Sequence, residues 1–274
     1  MRKVARIELL RWAVGWIMTH NADAGLPTNI QASVFTHLEL SHITSALRAQ
    51  GVYAGIKLPQ PVVEQLVFFA HTHAFAADRN PNLLCRYDER TQLEASVDHA
   101  LQIGSFRSQD CPLIQELITD PGLVAIATTY LETQPTYIGS ELLWSFPTET
   151  NWQQQIQAAQ VFHYDVDDYR SVKFFFYLTD VDENSGPHVS IQGTHWGKTL
   201  MHQIMGQRCA SLPDQKLVDR YGEHRVVTHC GKAGLGIVED TFCFHKGTRP
   251  LTKPRLMLQL QYAINDYDEI RSYR

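Results

Sequence analysis

The chain has no Cys-x-x-Cys pair, no internal repeat, no low-complexity linker and no excess of positive charge. Its five cysteines, Cys85, Cys111, Cys209, Cys230 and Cys243, are widely scattered. That spacing argues against a cysteine zinc site and against a disulfide scaffold, and it fits reduced thiols in a cytoplasmic protein. The net charge of −5 and the pI of about 6.2 argue against a broad nucleic-acid-binding surface. There is also no uncharged apolar run long enough to cross a bilayer, so no membrane span is expected. Met1-Arg2-Lys3 resembles the start of a secretion signal, but Arg6, Glu8 and Arg11 interrupt the apolar run that a signal needs. What remains is a chain of 274 residues, 44% hydrophobic, able to bury a sizeable core.

The two halves differ in pattern. Val4, Ile7, Leu10, Val14 and Ile17 recur at helical steps. Residues 33–49 repeat that period and stop at Gly51, where a helix-terminating glycine is expected. Residues 60–77 open with Pro61 and read as helix, as do residues 111–132 with a break at Pro121-Gly122. Beyond Pro135 the character changes to strand. Residues 136–139, 141–146 and 161–166 are strand-like, and Ser171–Thr179 is a dense aromatic and β-branched run. After the turn cluster 182–187 come strand signals at 188–192, 234–245 and 254–263. In the last, Leu256, Leu258, Leu260 and Tyr262 share one face and Arg255, Met257, Gln259 and Gln261 the other. The expectation is a mainly β protein with helical N-terminal support: one domain over 1–274, with 1–134 mainly helical and 135–274 a jelly-roll core.

Two His-x-carboxylate pairs occur among the thirteen histidines. His163 and Asp165 lie in a strand-like segment, where residues two apart share a face and can grip one metal ion. His37 and Glu39 lie in a helical pattern, which turns them about 200° apart and away from a common ion. His71 and His73 also sit in helical periodicity and read as ordinary helix residues. A third ligand fits at His245, which closes an apolar strand just before Gly247. Two histidines and one carboxylate form the facial set that leaves positions open on Fe(II). Arg255 opens the final strand on its polar face, where it can pair with a distant carboxylate. Arg249 and Lys253 compete for that role but fall in the turn. This reading takes the strands that carry His245 and Arg255 as antiparallel neighbours.

His163-Tyr164-Asp165, Lys173–Asp182, Glu183-Asn184-Ser185-Gly186-Pro187, Ile191–His195, Gly234–His245 and Arg255, in that order, resemble the phytanoyl-CoA dioxygenase family of Fe(II)- and 2-oxoglutarate-dependent oxygenases. Gln192 and Thr194 depart from the family's Pro-Gly-Ser-His segment. The resemblance spans roughly residues 135–263 and implies a double-stranded β-helix, the cupin-like jelly roll. It implies His163, Asp165 and His245 as iron ligands and Arg255 as anchor of the distal carboxylate of 2-oxoglutarate. It adds Tyr177 and Gln160 as further co-substrate contacts, His195 as a structural residue and Trp144 as a core or pocket residue. It implies O2 and a small organic molecule as the other substrates. Because Asp165 is present, it points to hydroxylation rather than halogenation. Two other readings stand beside it: a binding module with a non-redox metal or none, and a cupin-like isomerase or dioxygenase that needs no 2-oxoglutarate.

Overall fold

The computed structural model describes residues 2–20, 25, 29–97 and 99–266. Nine α-helices appear among them: α1 (Glu8–His20), α2 (Leu40–Gln50), α3 (Gln60–Thr72), α4 (Arg90–Val97), α5 (Pro112–Ile118), α6 (Pro121–Leu131), α7 (Trp152–Gln157), α8 (Leu200–Met205) and α9 (Asp214–Tyr221). The strands are β1 (Val52–Lys57), β2 (Phe75–Ala77), β3 (Leu84–Cys85), β4 (Ile103–Phe106), β5 (Thr136–Ser145), β6 (Ser171–Tyr177), β7 (His188–Ile191), β8 (Val226–His229), β9 (Leu235–Glu239), β10 (Phe244–Gly247) and β11 (Arg255–Ala263). They form an eight-stranded sheet, β1-β9-β6-β11-β5-β4-β2-β3, and a three-stranded sheet, β10-β7-β8. The architecture is the expected jelly roll with helical support. Among the described residues no helix is long and apolar enough to cross a membrane.

Alternation decides which face does what. On β11, Leu256, Leu258 and Leu260 join Phe174, Phe176, Leu142 and Trp144 in the main core, together with α3, α5 and α6 side chains. Each such buried side chain stabilises the fold by roughly 1.5–3 kcal/mol. The opposite face, with Arg255, Met257, Lys173 and Phe175, turns toward the small sheet, and the Phe175 ring lies 4.5 Å from that of His188. The helical layer is tied down by Asp120, the N-cap of α6, which accepts from Gly122 N at 2.8 Å and Leu123 N at 3.2 Å. The same carboxylate accepts from Ser33 Oγ and Val34 N, so one residue fixes both the helix start and the loop ahead of α2.

The structure departs from the sequence reading in four places. The N-terminal part is mainly helical, but it also supplies β1–β4 to the large sheet, with β1 on β9 and β4 on β5, where the sequence pattern predicts no strand before residue 136. The helix expected from residue 33 begins only at Leu40, because His37 has φ 60° and Glu39 is already the N-cap. The strand expected over 161–166 reduces to a single bridge between His163 and His245. Ala159 at φ 55° turns the chain there, and Phe162 N donates to the Asp214 carboxylate rather than to a strand. Finally, the run 234–245 is two strands in two different sheets. Asp240 breaks it: its Oδ1 accepts from Phe242 N at 3.0 Å, and Cys243 N closes a turn on its carbonyl. Gly51 does end α2 as expected, in the left-handed conformation at φ 76°.

Candidate metal centre

His163 and His245 face each other through a two-way backbone bridge, His163 N to His245 O at 3.0 Å and the reverse at 2.9 Å. Asp165 joins them because its own N donates to Thr241 O at 2.8 Å, just past the Asp240 break. The result is that His163, Asp165 and His245 bring one ligand atom each within 4.8 Å of one another. His163 Nε2 lies 3.9 Å from Asp165 Oδ1, and His245 Nε2 lies 4.0 Å from Asp165 Oδ2.

The donor set fits a divalent metal. His163 Nδ1 is 2.9 Å from the Val161 carbonyl and His245 Nδ1 is 2.9 Å from the Cys243 carbonyl. A carbonyl only accepts, so each Nδ1 carries the proton and each Nε2 keeps its lone pair toward Asp165. Burial pushes His245 down to about 4, which keeps it neutral and able to ligate. Burial alone would raise the Asp165 carboxyl, but the Lys173 ammonium at 2.8 Å, and then the two imidazoles, hold it well below the usual carboxylate range.

A cavity of about 200 Å³ opens beside these three residues and reaches Arg255. Arg255 is 4% exposed; it donates from one terminal nitrogen to the Gly186 carbonyl and from the other to Ser145 Oγ at 3.1 Å. Its Nε has no partner, and among the described residues no carboxylate pairs with it. A buried, uncompensated guanidinium is costly, so its position facing the cavity suits an anionic ligand. Its nearness to His245 does not come from strand pairing, because β10 pairs with β7 whereas β11 pairs with β5 and β6. The two residues line the same cavity between the sheets, where Gly247 lies against the Arg255 guanidinium.

Gln160 lines the cavity and its Oε1 is buried without a partner. Tyr177 departs from the expected co-substrate contact: its hydroxyl donates to the His229 carbonyl and accepts from His188 N, both at 2.8 Å, and it does not line the cavity. It supports the strand carrying His188 instead. Trp144 is buried on the helix side against Tyr87 and Phe146, so it packs the core rather than the cavity. His195 is buried with Nε2 at 3.2 Å from the Arg48 carbonyl. His71 lies against Tyr87 and Trp144, and His73 caps α3. Arg249 reaches the Thr148 carbonyl and Glu149.

Sequence reasoning missed Lys173, His188 and Glu239. His188 lines the cavity with its ring stacked 5.6 Å from that of His245, and its Nε2 lies 2.7 Å from Glu239 Oε2. Ser190 Oγ donates to the other Glu239 oxygen at 2.6 Å. Burial pushes His188 down to about 3 and pushes the Glu239 carboxyl up. The available signal was a charged residue inside an apolar strand, as Lys173 is in SVKFFFY and Glu239 in LGIVE. Such residues are rarely buried unless paired. The outer part of the cavity carries the Arg79–Glu141 pair, two contacts to one oxygen at 3.0 and 2.8 Å.

No family model matches the chain, and no curated protein matches it. Solved structures do. HygX from Streptomyces hygroscopicus, solved with nickel and 2-oxoglutarate, matches at 14% identity and TM-score 0.55, covering 81% of this chain and 86% of its own. EctD from S. alaskensis with bound Fe matches at 16% identity and TM-score 0.53, covering 81% and 75%. The α-ketoglutarate-dependent epimerase SnoN from nogalamycin biosynthesis matches at 15% identity and TM-score 0.50, covering 82% of each. This chain therefore shares the fold of these three proteins.

Proposed function

We propose that this chain is an Fe(II)- and 2-oxoglutarate-dependent dioxygenase that hydroxylates an unactivated C–H bond of a small organic molecule. The observation that carries this reading is one cavity holding both a His163–Asp165–His245 set and a buried guanidinium, Arg255, without a carboxylate. A non-redox metal module would need only the first of these. Three proteins that share the fold support it, one of them solved with Fe and one with nickel and 2-oxoglutarate.

His163, Asp165 and His245 would hold the metal. Bound iron supplies a redox centre for dioxygen, with 2-oxoglutarate giving succinate and CO2 as electron source. The chain's own residues do the rest. The Val161 and Cys243 carbonyls fix both imidazole tautomers before any ligand arrives. Lys173 keeps Asp165 ionised and limits its rotation. Arg255, braced by Gly186 and Ser145, receives the far carboxylate of the co-substrate in two-point geometry. Gln160 lines the cavity, and its amide Nε2 can donate to the near carboxylate. The cavity volume limits the organic substrate to a small molecule, and Arg79, Glu141 and Lys173 favour a polar one.

The test is succinate formation from 2-oxoglutarate by the purified chain with Fe(II), ascorbate and air. Turnover that stops with zinc in place of iron supports the reading. Tight metal binding with no succinate under any iron condition would leave the non-redox module as the better account.

A further inference from the structure

The helix α1 is built with its apolar side outward. Its inward stripe is Arg11, Gly15 and Thr19, all buried. Its outward surface is Leu9, Leu10, Trp12, Trp16, Ile17 and Met18, between 42% and 80% exposed. A surface helix normally shows the reverse arrangement. The polar stripe is locked in place. Arg11 donates to the His195 carbonyl and its guanidinium lies 4.1 Å from the Trp196 ring and 4.0 Å from that of Phe242. Glu8 accepts from Gly197 N at 3.0 Å and Lys198 N at 2.8 Å. The Arg170 side chain lies close against Gly15. The helix therefore cannot roll to hide its outer face.

Further exposed apolar side chains lie on α8, which touches the start of α1 where Glu8 N donates to Gln203 Oε1 at 3.0 Å. There Leu200 is 66% exposed, Met201 64% and Ile204 47%. Large apolar side chains exposed in such number on two touching helices mark an interaction site. Its border is cationic. Lys3, Arg6 and Arg208 line a recess of about 290 Å³ beside it, together with Asp167, whose carboxylate accepts from Gln261. On residues 3–20 the one acidic side chain is Glu8, already held by two backbone amides.

We propose that the α1–α8 face docks on an anionic phospholipid surface. Leucine, isoleucine and tryptophan side chains would enter the headgroup and upper acyl region, where tryptophan is favoured. The Lys3, Arg6 and Arg208 recess would meet lipid phosphates. The chain's overall charge of −5 repels such a surface. Binding therefore depends on this one local patch and fixes the orientation of the molecule. This docking needs none of the chemistry proposed for the cavity.

The test is flotation of the full chain with phosphatidylcholine vesicles and with vesicles that also contain phosphatidylglycerol. Two variants change only exposed side chains, L9S/W16S/I17S and K3E/R208E, and melting curves establish that they fold. The wild type should float with the mixed vesicles and less so at high salt. L9S/W16S/I17S should lose about tenfold or more in vesicle affinity. K3E/R208E should lose about fivefold or more toward the anionic vesicles, with little change toward phosphatidylcholine alone. A wild type that stays in the lipid-free fraction overturns the proposal, as do variants that float like it. A wild-type dimer in light scattering that L9S/W16S/I17S converts to monomer would assign the face to a second copy of the chain, and also overturns it.

Discussion

His188 Nε2 lies 2.7 Å from Glu239 Oε2, in a contact where the two side chains are 2% and 0% exposed. As a neutral ring, His188 donates from Nε2 and is left with Nδ1 as an acceptor. The pair joins the two sheets directly behind the His245 ring. Glu239→Ala would leave both His188 Nε2 and Ser190 Oγ unpartnered in the interior. Urea unfolding should show a loss of about 2–4 kcal/mol. Glu239→Gln keeps an acceptor and a donor in place and should lose clearly less. Equal losses for the two variants would mean that packing, not the hydrogen bonds, holds the sheets together here.

Arg255 should govern co-substrate affinity. Arg255→Ala should raise the KM for 2-oxoglutarate by about tenfold to a hundredfold, the range for one charge-assisted pair. Arg255→Lys should recover little of it, because an ammonium lacks the planar fork braced by Gly186 and Ser145. Steady-state kinetics with 2-oxoglutarate as the varied substrate checks both. An unchanged KM in Arg255→Ala would place the anchor elsewhere.

Gly51 has φ 76°, and a Cβ there would lie 2.3 Å from Cys243 Sγ and 2.7 Å from His195 Nδ1. Its carbonyl also accepts from Asp240 N at 2.8 Å, at the break that sends β9 and β10 into separate sheets. Gly51→Ala should therefore cost about 2–4 kcal/mol, above the roughly 1 kcal/mol of an uncrowded left-handed position. Thermal melting gives the answer, and a melting temperature equal to wild type would contradict this packing.

Acid should unfold the metal-free protein early. Burial lowers the folded-state pKa of His188 to about 3, and of His229 and His245 to about 4. In the unfolded chain these rings titrate near 6.5. Below that pH the unfolded state binds more protons than the folded one, so stability falls as pH drops from about 6.5 toward 4. The raised Glu239 carboxyl acts in the opposite direction and offsets part of the loss. Melting temperatures at stepped pH should begin to fall just below 6.5. A flat profile down to pH 5 would count against three buried neutral imidazoles.

Much of the site was legible because its geometry follows from local pattern. His163 and Asp165 needed only an extended backbone; the alternation of β11 put Arg255 on the polar face, but the strand pairing expected to bring it beside His245 is not the one observed. His245 needed an apolar run ending at a turn glycine. The departures lie where tertiary contacts override pattern. Residues 161–166 are extended without being a strand, because Phe162 N is taken by Asp214. The strand-like run 234–245 contains a sheet change set by the Asp240 turn. Strand β1 is short and follows a helix, so periodicity gave it no weight until β9 was there to pair with it. The His188–Glu239 contact crosses between sheets over 51 positions, and no spacing rule reaches that far.

The central claim is that one cavity binds a ferrous ion at His163, Asp165 and His245 and a 2-oxoglutarate held by Arg255. Its most direct test is an anaerobic absorption titration with Fe(II) and then 2-oxoglutarate. The account predicts a visible metal-to-ligand band that saturates at one equivalent in the wild type, is absent in His245→Ala, and in Arg255→Ala needs far more 2-oxoglutarate. A wild type with no band, or a His245→Ala protein with the full band, would contradict it.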